Sequence, residues 1–454
     1  MGEDYLMNKF EKIWLTAFFI ELFAGGGGRL IDFGFISIRQ ILFIGLLLIY
    51  LVRVVKEKAV FDKRRNTFLQ VTPVAIGIYL ILGWFIISSL IGLVHHHPLE
   101  AVASDFLRVI FFVVYFPLVY FLSKNRFPIE NVITILKKCA LVVAVFTIIV
   151  TLLGKTVFVN NFDEFYNFMN KIMHDDLFFR PSNGVFYKSH FFVLVALVLS
   201  LNGVLNKKFT KIDIAMIILG TVSIIWSETR GFLLALILSL LLIILFDLKV
   251  IVDPIKGFAH KMQIIVKSQQ FLKKFAILLL IIIAVPNIYN YMTIARFQTV
   301  KVEEPTSTSN NQKVVKQEVN DESVNARMKF IVASKDILVH PENLIIGSGY
   351  GTTIAGRITG IEMSFLDILV EQGLIGLATW FFLFLLVYIN YYSAYKKGEK
   401  FSSLDISLLS VFMGILLLTN INPFINNPIG ISFLIILLIA SQNKKNMSLK
   451  GNFE

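Results

Sequence analysis

Residues 72–94 read TPVAIGIYLILGWFIISSLIGLV, twenty-three positions without an acidic or basic side chain. A helix rises about 1.5 Å per residue, so a run of this length crosses a hydrocarbon layer of roughly 30 Å. Inside lipid each backbone N–H and C=O must be paired within the segment, which leaves helix as its conformation. Comparable apolar runs occur at 12–24, 36–55, 102–123, 132–153, 185–205, 211–226, 231–248, 274–295, 364–395, 404–420 and 428–441. They predict an all-α polytopic membrane protein with about twelve transmembrane helices. The first and seventh runs are short, and a tilted or re-entrant path suits them as well as a full crossing.

Composition agrees. Of 454 residues 56% are hydrophobic and 16% charged, with a mean hydropathy of +0.73, far from the roughly 25% charged residues of a soluble domain. The net charge of +12 does not point to nucleic acid, because the lysines lie in short loops where they meet anionic headgroups. Cys139 is the sole cysteine, which excludes an internal disulfide and a Cys-based zinc site. No small-residue cleavage site precedes the run Gly25 to Gly28, so no cleavable signal peptide is expected.

Most basic residues gather in KEKAVFDKRR (Lys56 to Arg65), around Lys207, Lys208 and Lys211, between Lys249 and Lys274, at Lys396 and Lys397, and at Lys444 and Lys445. Positive loops stay inside, so both termini are expected in the cytoplasm. On that orientation the inward face holds few arginines (Arg53, Arg64, Arg65, Arg126), whereas the outward one holds Arg29, Arg39, Arg180, Arg230, Arg296, Arg327 and Arg357. Arginine offers a planar fork that grips phosphate bidentately. The outward face is therefore expected to bind a phosphate-bearing ligand, although Arg29, Arg39 and Arg296 also suit plain anchoring at helix ends.

Nine helices and an outward loop at 154–184 occupy residues 1–295, a large extracytoplasmic loop between helices 9 and 10 occupies 296–363, and three helices with a cytoplasmic tail occupy 364–454. The first loop is rich in Phe, Asn and Asp and reads as an interfacial helix. In the second, residues 296–325 are polar and read as a mobile insertion, and 326–363 read as ordered. Apolar residues Met328, Ile331, Val332, Ile337 and Leu338 recur at near-helical spacing until His340-Pro341 stops the helix. GSGYG, Gly347 to Gly351, then makes a tight turn whose backbone can approach a ligand at Gly349 and Tyr350.

RPSNG at Arg180, SETRG ending at Arg230 and Gly231, NARMKFIVASKDILVHPENLIIGSGYG and EMSFLDILVEQGLIG occur in this order on one face. Together they resemble the O-antigen ligase and polymerase superfamily of bacterial membrane glycosyltransferases. The resemblance implies a GT-C-like layout and metal-independent transfer of a glycan from undecaprenyl pyrophosphate to an acceptor hydroxyl, on the outer side of the plasma membrane. A chain-length regulator and a flippase would be natural partners. It maps functional arginines onto Arg180, Arg230 and Arg327. At position 362, where ligases of the family carry a histidine, this chain has Glu362, which weakens a ligase reading and favours a polymerase.

The chemistry also follows from the residues. A sugar hydroxyl attacking an anomeric carbon needs a base beside it and cations around the departing pyrophosphate. Glu362, at the membrane surface, suits the base, with Asp367 and His340 as further candidates, and the arginines supply the cations. No Asp-x-Asp motif lies in an outward segment, so neither metal nor cofactor is expected. Glu362 also suits a helix-capping role. Asp367 and Glu371 stand one turn apart and face either the substrate or the headgroups. Arg108 pairs most simply with Asp105 three residues away, His95 to His97 read as a wet turn, and Glu21 has no evident role. A ligase onto another acceptor, and a transporter or flippase, remain the competing functions; a transporter should show related halves, and none are evident.

Overall fold

The computed structural model describes residues 7–28, 31, 36–180, 182–247, 269–296, 322–358 and 360–450. A helix lies at each of the twelve apolar runs: Lys9–Ala24, Ile38–Lys56, Pro73–Val94, a composite helix spanning Leu99–Phe121, Ile129–Lys155, His190–Leu205, Lys211–Trp226, Arg230–Asp247, Gln269–Arg296, Ser364–Lys396, Ser403–Leu418 and Pro428–Lys450. Among the described residues seven helices are long and apolar enough to cross a membrane, the longest being Ser364–Lys396, and His190–Leu205 and Ser403–Leu418 are shorter apolar helices. The chain is a polytopic α-helical membrane protein.

The helix starts are written locally. Asn8 with Glu11, Ser37 with Gln40, and Ser402 with Asp405 form reciprocal capping boxes, and Thr72 caps a helix whose first residue is Pro73. Helices then approach through small residues: a Cβ on Gly414 would stand 2.3 Å from Ser239 Oγ and 2.6 Å from Ala235 O. Buried polar side chains pair across helices, as Thr147 Oγ1 does with Ser223 Oγ at 2.8 Å, and His190 Nε2 with the same hydroxyl at 2.9 Å.

Between residues 154 and 190 the structure departs from the simple reading. Phe162–Ile172 is the expected helix, but residues 185–187 are not the start of the sixth membrane helix. They form a strand paired antiparallel with Leu177–Phe179, and the helix begins at His190. Val185, Phe186 and Tyr187 are all buried, so hydropathy merges them with the helix that follows.

In the large loop the helix Glu322–Leu338 begins ahead of Asn325, and most of the polar insertion, residues 297–321, lies outside the described residues. The helical period is present, yet Met328, Ile331 and Val332 are exposed. Phe330 is buried instead, in a small core with Ile354, Ile361 and Val370, to which Ala326, Ala333 and Ile337 add. The face that packs, 326/330/333/337, uses two alanines, and these let the backbone come close where larger residues were the more visible signal. His340 then caps the short helix Pro341–Ile346.

The helix Ser364–Lys396 is interrupted at Gly373, with φ 64° and ψ −171°. The interruption frees carbonyls that cannot stay unpaired. Ser348 N donates to Val370 O at 2.8 Å, Gly349 N to Glu371 O at 3.0 Å, and Trp84 Nε1 to Gln372 O at 2.8 Å. The GSGYG turn thus plugs the break, and a Cβ on Gly373 would lie 2.4 Å from Ile345 O and 2.5 Å from Gly347 N.

Candidate functional site

RPSNG makes the hairpin turn between the two strands, closed by Arg180 N donating to Gly184 O at 2.8 Å and Asn183 N to Arg180 O at 2.8 Å, with Asn183 in the left-handed region at φ 59°. SETRG is the turn between Lys211–Trp226 and Arg230–Asp247, with Glu228 left-handed at φ 51°. The two motifs hold each other. Arg180 donates through its second terminal nitrogen to Thr229 Oγ1 at 3.2 Å, and through Nε to Ser227 O at 3.4 Å, while Ser182 Oγ donates to Glu228. Gly184 is squeezed in this contact, since a Cβ there would stand 2.5 Å from Trp226 O. Arg230 opens its helix and donates to Tyr289 Oη at 3.1 Å.

The large loop supplies the opposite side. Arg327 donates to Glu362 Oε2 at 3.4 Å and to Ile421 O at 3.3 Å, tying its helix to the approach of Ser364–Lys396 and to the turn after Ser403–Leu418. Arg357 lies over the Phe330 ring, 5.5 Å from its centroid.

Arg180, Arg230, Arg327 and Glu362 line one cavity of about 660 Å³, a volume usual for a site that takes a medium-sized ligand. Among the described residues its wall carries seven cations, these three arginines with Arg39, Arg108, Arg357 and Lys188, against one carboxylate, Glu362. Arg39, Arg108, Lys188 and Arg327 each have a carboxylate partner, and the wall that faces the cavity is still rich in cations, which favours an anionic ligand. Phe178, Phe186, Leu234 and Phe424 complete an apolar part of the wall.

Two of the cations were read from sequence as doing something else. Arg39 lines the cavity and pairs through Nε with Glu21 Oε2 at 2.9 Å, both side chains 7% exposed, which gives Glu21 its role. Arg108 forms the expected pair with Asp105, at 2.7 Å, and also reaches the cavity. Lys188 sits on Asp176 at 2.5 Å. Residue type, arginine in an apolar chain, was the available signal; what was missing was which of these local pairs faces the same space. Arg29 lies outside the described residues, as does the Arg296 side chain.

Other candidates are placed away from the cavity wall. Gly349 packs on Gly92, where a Cβ would stand 2.2 Å from Gly92 N, and Tyr350, fully buried, donates its N–H to Ser88 O at 3.0 Å. Burial pushes the Tyr350 phenol well above its ordinary range, so it is neutral. The triple-histidine turn holds this loop: His95 Nδ1 pairs with Ser348 O at 2.9 Å and His97 Nδ1 with Tyr350 O at 2.8 Å. His340 is exposed at its cap position. Asp367 is 1% exposed, accepts from Asn426 Nδ2 at 2.8 Å, and lies 3.8 Å from Arg108.

A bundle of membrane helices with a cavity of this kind defines a polytopic membrane protein with a cation-rich, partly apolar pocket. No family model matches the chain. It is similar to an O-antigen polymerase of Shigella flexneri, 26% identical over 450 residues, which cover 98% of either chain. This whole-length likeness supports the O-antigen polymerase and ligase superfamily that the motifs resemble.

Proposed function

We propose that this protein polymerises oligosaccharide repeat units carried on undecaprenyl pyrophosphate, by glycosyl transfer in the synthesis of a surface polysaccharide such as O-antigen, capsule or exopolysaccharide. The observation that carries this reading is the convergence of Arg180, Arg230 and Arg327 with Glu362 on one cavity, from segments far apart in sequence. In the proposed step a sugar hydroxyl of the acceptor attacks the anomeric carbon of the donor glycan. The bond to the pyrophosphate oxygen breaks as the new glycosidic bond forms. The hydroxyl proton passes to Glu362, oriented by Arg327, and the charge that builds on the departing pyrophosphate is met by Arg180 and Arg230. With so many fixed cations the transfer needs no metal to neutralise the leaving group.

The reading sets the cavity on the extracytoplasmic side of a bacterial plasma membrane, both termini in the cytoplasm. Residues 1–295, 296–363 and 364–454 are its first membrane part, its large extracytoplasmic loop and its second membrane part. A flippase delivering repeats and a chain-length regulator are the expected partners. Glu362 at the position where ligases carry histidine, and a relative described as a polymerase, both favour polymerase over ligase.

The test is purified full-length protein with labelled undecaprenyl-pyrophosphate repeat in EDTA. A ladder of lengthening products supports the proposal. Transfer only to an added lipid or polymer acceptor would make the protein a ligase, and absence of transfer in the presence of EDTA, restored by a divalent ion, would overturn metal independence.

A further inference from the structure

Arg108 lines the cavity, yet the step above gives it no task. One terminal nitrogen is held by Asp105 at 2.7 Å and lies 3.8 Å from Asp367. The other lies over Gly360, where a Cβ would stand 2.5 Å from it, and Gly360 is left-handed at φ 59°. Any side chain at 360 would close the path by which this guanidinium faces the cavity. Nε is enclosed and has no hydrogen-bond partner.

Behind Arg108 two carboxyl groups are buried, Asp105 fully and Asp367 at 1% exposure. Asp105 also accepts from Gly351 N at 3.0 Å, and Asp367 from Ile361 N at 3.3 Å. The ion pairs of Arg108 with Asp105 and Asp367 both run through the same terminal nitrogen, which leaves the other turned to the cavity.

We propose that Arg108 is a further substrate-contacting residue, binding a phosphate of the lipid-linked donor or acceptor across Gly360 while Asp105 and Asp367 hold its guanidinium in that pose. The ligand rests on the glycosyl-transfer reading.

The test uses the full chain in nanodiscs. Arg108→Gln should weaken binding of undecaprenyl pyrophosphate on the order of tenfold to a hundredfold, the scale of a hydrogen bond to a charged group, with Arg108→Lys recovering only part. Unchanged affinity overturns the contact. Should Arg108→Gln not fold, Gly360→Ala displaces the same nitrogen, and wild-type affinity there counts equally against the proposal. A wild type that binds the lipid but transfers nothing sinks the polymerase reading alone, and one that does not bind it sinks both.

Discussion

Arg327 and Glu362 meet at 3.4 Å across thirty-five residues of chain, the arginine in the middle of a loop helix and the glutamate just ahead of the helix Ser364–Lys396. The same guanidinium nitrogen also donates to Ile421 O at 3.3 Å, so one side chain fixes three segments around the only carboxylate on the cavity wall among the described residues. A base held in this way loses rotational freedom before substrate arrives, which is what efficient proton transfer needs.

If Glu362 accepts the proton, Glu362→Gln should keep shape and hydrogen bonding and lower transfer by roughly the 10²- to 10⁴-fold typical of general-base loss. Arg327→Gln should act through the same pair, so the double variant should be little worse than Glu362→Gln alone. The measurement is turnover of labelled lipid-linked repeat by purified variants. A helix-capping role alone would cost about 0.3 to 1 kcal/mol, and a Glu362→Gln variant retaining more than about a third of wild-type turnover, far short of that general-base range, would show that the proton goes elsewhere.

Arg180 and Arg230 are expected to differ in what they tolerate. Both alanine variants should abolish polymer while the protein stays in the membrane, each losing hydrogen bonds to a charged group of about 1.5 to 3 kcal/mol apiece. Arg180 also bridges to Ser227 O and Thr229 Oγ1, a forked contact that lysine cannot reproduce, so Arg180→Lys should rescue poorly. Chain-length distribution in a complemented null strain, scored beside membrane abundance, decides the matter; near-normal polymer from both alanine variants removes them from the site.

How far the sequence could be read follows the physics of its solvent. Lipid imposes helix on every long apolar run, so Pro73–Val94 and its counterparts were legible. The hairpin that carries Arg180 was not, because Leu-Phe-Phe and Val-Phe-Tyr are as apolar as the helix beyond them. Arginine on one face marked Arg180, Arg230 and Arg327, which converge. Arg39 was read as suited also to helix-end anchoring and Arg108 through Asp105 three residues away, and neither reading says what the guanidinium faces once Glu21 and Asp105 hold it. GSGYG shows the reverse: a glycine turn suited to a ligand instead closes a broken helix, a contact that exists only once Gly373 has interrupted it.

That contact is testable on its own. Gly373→Ala puts a Cβ 2.4 Å from Ile345 O at a left-handed φ, so it should disturb the break and lower the amount of folded protein. Gly83→Ala is the control: nothing lies within 4 Å of its Cβ, and alanine is favoured over glycine in a helix by about 1 kcal/mol. Fluorescence-detected size exclusion of the two variants should separate them. Equal, wild-type yields would mean that the GSGYG plug is not required for folding.

The Arg39–Glu21 pair allows folding and binding to be pulled apart. Arg39→Met removes one partner from a pair whose side chains are each 7% exposed, leaving a buried carboxylate uncompensated, a defect of about 3 to 5 kcal/mol. Replacing both partners, Arg39→Met with Glu21→Leu, removes the buried charge altogether and should restore thermal stability to near wild type. Transfer should not return with it, because Arg39 also faces the cavity and contributes one of its fixed cations. Thermal unfolding and repeat transfer, measured on the same preparations, give the comparison. Full recovery of both in the double variant would confine Arg39 to a structural role and reduce the cation set that meets the pyrophosphate by one.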